Sequence, residues 1–223
     1  MFSVYFAGEL FSAKHLIGNA MLADAIARRS RRRFVCVLPQ ALEQRQNEPK
    51  SIRDQDILAL LDCDLALFNF DGPELDSGTV VEFLFAKFAD IPALLLRTDF
   101  RVSGDQPGDP WNLMNSFYPR TNVLRVNSME IYQSALCQEK QGPNPNQNLV
   151  DQIAERVVSE LDSLTKTAPI LSRELAEPVY RWVSQMPGFE SAESAERVLA
   201  ILEQKRSRQL LRQSTANDFI DSY

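Results

Sequence analysis

Residues 71–82 read Asp-Gly-Pro-Glu-Leu-Asp-Ser-Gly-Thr-Val-Val-Glu, a turn-rich stretch between the apolar runs at 65–70 and 83–86. It offers two carboxylates, Asp76 and Glu82, to one site. Glu82 is the only acidic residue in the largely apolar segment 80–88. A buried carboxylate without a partner is costly, so Glu82 needs a reason. Acids crowded in a partly buried pocket push their pKa values apart and divide the roles of acid and base.

Purely local accounts compete with that reading. Thr79-x-x-Glu82 fits a capping box, in which Glu82 turns back onto the N-cap amide. A second acidic pair, Asp54 and Asp56, opens the preceding helix after Ser51-Ile-Arg53, where carboxylates complement the helix dipole. His15 is the single histidine, so any Ser-His or Cys-His mechanism would pass through it. Its setting, Ser12-Ala-Lys-His-Leu, reads instead as the first turns of a helix. Cys36, Cys63 and Cys137 are far apart and form no CxxC pair, which suggests neither a zinc site nor a disulfide framework. Carboxylates are the expected agents of chemistry, with no metal and no cofactor.

The elements that must position these groups alternate. Short apolar runs at 2–6, 34–38, 65–70, 93–96 and 123–126 read as strands, and 12–29, 52–61 and 78–88 read as helices. This alternation predicts an α/β fold with a doubly wound, mainly parallel five-stranded sheet of the flavodoxin/Rossmann-like kind. In such sheets ligands bind at the carboxyl ends of the strands. The Gly-, Pro- and Asp-rich stretch 98–119 is long for a simple connection.

The expected organisation is a catalytic α/β domain over 1–137, a linker-like loop over 138–148 and a helical C-terminal extension over 149–223. Val150, Ile153, Val157 and Leu161 recur at helical spacing, so the first helix of the extension should pack on the sheet. A final helix is expected over 192–212, with Ser191 as N-cap.

The chain has 223 residues and a formal net charge of −6, which argues against nucleic acid and anionic membranes as partners. The basic clusters 28–33 and 205–212 read as helix ends or solvated faces. No signal peptide and no membrane-spanning run is evident, and the cysteine pattern fits a reducing cytoplasm.

Four blocks in order resemble one family, the nucleoside 2-deoxyribosyltransferases. They are Tyr5-Phe-Ala-Gly-Glu-Leu-Phe-Ser12, Ile52-Arg53-x-x-Asp56 with the following Asp62-Cys-Asp64, Asp76-Ser-Gly-Thr-x-x-Glu82, and Asn112-Leu-Met114. The resemblance covers about the first 120 residues. It implies that Glu82 is a nucleophile holding deoxyribose as a glycosyl ester, oriented by Tyr5. It implies that Asp56 and Asp76 handle the nucleobase, one or both as acid. Gly8 and Phe11 fall in the substrate loop.

Asn112 and Met114 match an element inserted into a neighbouring subunit's sugar pocket, implying a dimer-based homo-oligomer such as a hexamer. The implied partners are deoxyribonucleosides and free nucleobases. The implied function is transfer of 2-deoxyribose between bases in nucleoside salvage. Two alternatives are an N-glycosidase that gives the sugar to water, and a non-catalytic nucleotide-binding module. Some relatives use the chain terminus in the site, which points to Tyr223.

Overall fold

A computed structural model describes residues 1–42, 48–101, 110–137, 144–189 and 192–220. Five strands, β1 (Phe2–Ala7), β2 (Phe34–Val37), β3 (Leu65–Asn69), β4 (Ala93–Arg97) and β5 (Thr121–Arg125), form one sheet in the order β2-β1-β3-β4-β5. Every pairing is parallel, with Val4 beside both Cys36 and Leu65, and Ala93 beside both Ala66 and Thr121. The expected fold class is therefore the observed one.

Alternation along the strands divides the core into two layers. Tyr5, Ala7, Ala66, Phe68 and Leu95 face one side, where α3 (Pro49–Asp62), α4 (Ser77–Phe88), α7 (Arg173–Gln185) and α8 (Ala192–Ile220) cover them. Val4, Phe6, Leu65, Leu67 and Leu94 face the other, under α1 (Ala13–Arg29), α5 (Ser128–Cys137) and α6 (Pro145–Leu164). A strand buried on both faces needs apolar residues at every position, which is why Leu65 to Phe68 are all buried. The short α2 (Pro39–Leu42) follows β2.

Several local expectations change. The helix α3 begins at Pro49 and has no acid in its first turn, so Asp54 and Asp56 lie too far inside to serve its dipole. Lys50 and Arg53 pair instead with Asp54. Helix α6 begins at Pro145, inside the stretch expected as linker, and packs against α1, β4 and β5. Helix α8 runs on to Ile220, beyond the expected 212. Ser191 and Tyr223 lie outside the described residues, as does part of each long loop.

The two basic clusters also separate. Arg28, Arg29 and Arg33 form partly exposed ion pairs with Asp151, Glu155 and Asp162 of α6. Lys205 is not on a solvated face. It is buried and donates from Nζ to the Leu61 carbonyl at 2.9 Å. The apolar edge of α3 draws that part of α8 into the core, and the long lysine stem packs while its ammonium finds a carbonyl.

Candidate active site

The sheet order reverses direction at β1 and β3, which stand side by side, so their carboxyl ends bound the crevice where such folds receive ligands. Gly8 follows β1 there. A Cβ on Gly8 would lie 3.1 Å from Asn69 Cβ, a tight contact that would press the two strand ends apart by a few tenths of an ångström.

Tyr5 is fully buried on the face covered by α3 and α4. Its phenol donates to Glu82 Oε1 of α4 at 2.6 Å. Glu82 is half-buried, and burial pushes its carboxyl up to about 7. The Tyr5 hydrogen bond opposes that rise, while the negative charges of Asp56 and Asp76 add to it. Burial first, then Glu82 and Asp56, drive the Tyr5 phenol far above its ordinary value, so it stays a donor. Tyr5, Asp56 and Asp76 thus all act on Glu82, although the four groups come from β1, α3, the loop after β3 and α4.

The competing capping-box account of Glu82 does not hold in the structure. The N-cap of α4 is Asp76, whose Oδ2 accepts from Thr79 N at 2.7 Å and from Thr79 Oγ1 at 2.8 Å. Thr79 is therefore inside the helix, and Glu82 is released from any capping box to meet Tyr5. Glu82 also sits more than one turn into α4, beyond the reach of a strong helix-terminus effect, and burial is the largest influence on its carboxyl. A Cβ on Gly78 would press on Asp76 Oδ2 at 3.2 Å, a tight contact with the capping oxygen.

The loop that carries Asp76 is held by residues not singled out in the sequence. Arg97, at the end of β4, is only 1 % exposed. It donates to the carbonyls of Phe70 at 3.1 Å, Gly72 at 3.0 Å and Arg101 at 3.3 Å. Asp71 accepts from Thr98 N and Thr98 Oγ1, each at 2.6 Å, and from Asp99 N at 2.9 Å. The one sequence signal was an arginine directly after a four-residue apolar run, and its buried position was invisible there.

Phe11, Asn112 and Met114 are exposed on the single chain. Asn112 caps a short 3-10 turn, Leu113–Asn115, by accepting from Met114 N at 2.9 Å. Rings on either side anchor this segment to the core beneath the site. Trp111 stacks edge-on against Phe70, and Tyr118 against Phe83, the residue after Glu82. His15 is in a 3.0 Å contact with Glu9. Among the described residues no group of His, Cys, Asp and Glu is arranged to hold a metal ion, and no helix is long and apolar enough to cross a membrane.

Residues 4–114 match the model of the nucleoside 2-deoxyribosyltransferase family. Over these residues the chain belongs to that family. All eight candidate site residues lie inside the matched segment, and the family is one of glycosyl-transferring enzymes. Among solved structures, a 2-desoxiribosyltransferase from Leishmania mexicana is similar at 22% identity over 52% of this chain and 87% of that one, with a TM-score of 0.44. A conserved protein from Enterococcus faecalis V583 is similar at 26% identity over 70% of this chain and 99% of that one, with a TM-score of 0.43. No match is found among curated proteins.

Proposed function

We propose that this deoxyribosyltransferase-family chain transfers 2-deoxyribose between nucleobases through a covalent ester on Glu82. The observation that carries the reading is the 2.6 Å hydrogen bond from Tyr5 to Glu82, within a cluster where Asp56 and Asp76 act on the same carboxyl. In the first half-reaction an ionised Glu82 oxygen attacks C1′ of a deoxynucleoside. The C1′–N bond breaks, its electron pair passes to the base, and the base takes a proton from Asp56 or Asp76. In the second, a nitrogen of an incoming base attacks C1′, its proton returns to the aspartate that protonated the first base, the ester bond breaks, and Glu82 leaves as carboxylate. Two inversions give net retention.

Each residue type suits its part. An oxocarbenium-like transition state is stabilised by an adjacent carboxylate, and the covalent step divides one hard displacement into two easier ones. Tyr5 holds one Glu82 oxygen and so orients the other. Gly8 and Phe11 line the substrate loop, and Asn112 and Met114 serve a neighbouring subunit's sugar pocket. The substrates are deoxyribonucleosides and free bases, in nucleoside salvage in the cytoplasm.

The test supplies deoxyinosine or thymidine together with adenine and cytosine. New nucleoside should form faster than free deoxyribose, and Glu82→Gln should form neither. Intact mass with a slow substrate should show a deoxyribosyl adduct on the wild type alone. Free sugar as the dominant product would make water the acceptor. Near-normal turnover by Glu82→Gln would remove the nucleophile assignment.

A further inference from the structure

At the opposite end of the sheet from Tyr5 and Glu82 lies a cavity of about 410 Å3, between the amino ends of β3, β4 and β5 and the helices α7 and α8. Its size is that of a small-molecule site. Ile91, Ala176, Tyr180 and Leu202 give it buried, largely apolar walls. Four cations, Arg120, Arg173, Lys205 and Arg206, also line it.

Two of these are committed within the wall. Arg120 pairs with Asp90 at 2.7 Å, and Arg206 pairs with Glu203 while also donating to the Arg173 carbonyl. Among the described residues neither Lys205 nor Arg173 forms an ion pair. Asp64, the remaining carboxylate of the lining, faces Arg208 at 3.6 Å. Lys205 is only 9% exposed, yet its ammonium has three donors, of which the Leu61 carbonyl takes one. Burial pushes it down to about 8, more strongly than Cys63, Asp64 and Asp62 raise it. A buried cation without an ion pair thus lies beside an open space walled by both apolar and charged residues.

We propose that this cavity is a second ligand site that takes a small organic anion: an apolar ring or chain seated on Ile91, Ala176 and Leu202, with its carboxylate or phosphate held by Lys205 and Arg173. The anion supplies the charge that the protein withholds from Lys205, and the apolar part replaces solvent over the walls. An occupant would also tie α7 and α8 to Ala89 and Asp90, at the end of the helix that carries Glu82. The site is independent of the chemistry proposed for Glu82.

Calorimetric titration of the full chain with phenyl phosphate, benzoate and benzyl alcohol tests this. At least one of the two anions should bind saturably and benzyl alcohol should not, and which anion binds identifies the acid group. Binding should persist in Glu82→Gln, weaken at least tenfold in Arg173→Ala and shift the methyl resonances of Ile91 and Leu202. Lys205→Met should abolish it; if that variant does not fold, exposed Arg173 carries the comparison. Absence of saturable binding by both anions, equal binding of benzyl alcohol, or unchanged affinity in Arg173→Ala would overturn the proposal.

Discussion

The Tyr5 hydroxyl and Glu82 Oε1 meet at 2.6 Å across 77 residues of sequence, joining the first strand to the fourth helix. The bond stabilises the charged form of a carboxyl that burial and two neighbouring aspartates disfavour. The Glu82 carboxyl is thus poised to titrate near neutral pH, with the tyrosine hydrogen bond opposing the rise.

Tyr5→Phe should therefore move the acidic limb of the kcat/KM profile to higher pH. A hydrogen bond to a charged group contributes about 1.5–3 kcal/mol, equivalent to roughly one to two pKa units. Activity should fall about tenfold or more at pH 6 and much less at pH 9. A limb that stays in place would show that the phenol does not support the carboxylate.

Stability should carry the same signature. The folded-state pKa of Glu82 is raised from 4.5 to about 7, so between those values the folded chain holds a proton that the unfolded chain has released. Stability must then decrease as pH rises through this window, by up to about 3 kcal/mol. Glu82→Gln should match the wild type below pH 4.5 and exceed it at pH 8, as urea denaturation at the two pH values would show.

Asp76 should separate capping from catalysis. Asp76→Ala removes the acceptor for Thr79 and should cost about 1 kcal/mol of stability along with activity. Asp76→Asn keeps a capping oxygen, so thermal stability should be nearly retained. Its turnover should still drop, more for poorly activated bases than for good leaving groups. Equal losses for both substrate types would confine Asp76 to the helix start.

Arg97→Met should be among the most destabilising changes near the site. It strands three carbonyls on the loops after β3 and β4 and should cost about 3 kcal/mol, with a greater loss of turnover as Asp76 loses its mooring. Chemical denaturation and steady-state rates measured together would reveal both effects.

Glu82→Ala and Asn112→Ala, each inactive alone, should recover part of the activity when their subunits exchange. Asn112 and Met114 stand exposed on the single chain, available to a neighbour. Mixed assemblies would contain sites with an intact Glu82 and a neighbour's intact Asn112. Demonstrated exchange without recovery would confine Asn112 to its own chain.

Much of this was legible in the residues. Largely apolar runs at 65–70 and 93–96 read as strands of a doubly wound sheet, and the helical segments between strands required parallel crossovers. Asp76-Ser-Gly-Thr-x-x-Glu82 marked the loop and helix that hold the carboxyl cluster, because helix spacing is local. The N-cap stayed open in the sequence because Thr79 and Asp76 are both good caps, and only the path of the chain into α4 selects between them.

The sequence by itself determined the five strands and the helices that cross between the first of them; α2, α5 and α7 emerged only in the structure. The sequence also showed that Glu82 would have to be reconciled with an apolar helix. Tertiary structure alone decided its partner and its protonation, because both depend on groups from β1, α3 and the loop after β3 converging in a partly water-excluded place. It also decided that Arg97 and Lys205 are buried cations rather than surface ones. Side-chain type fixes a charge, but the dielectric and the neighbours that set the energy of that charge exist only once distant segments have packed together.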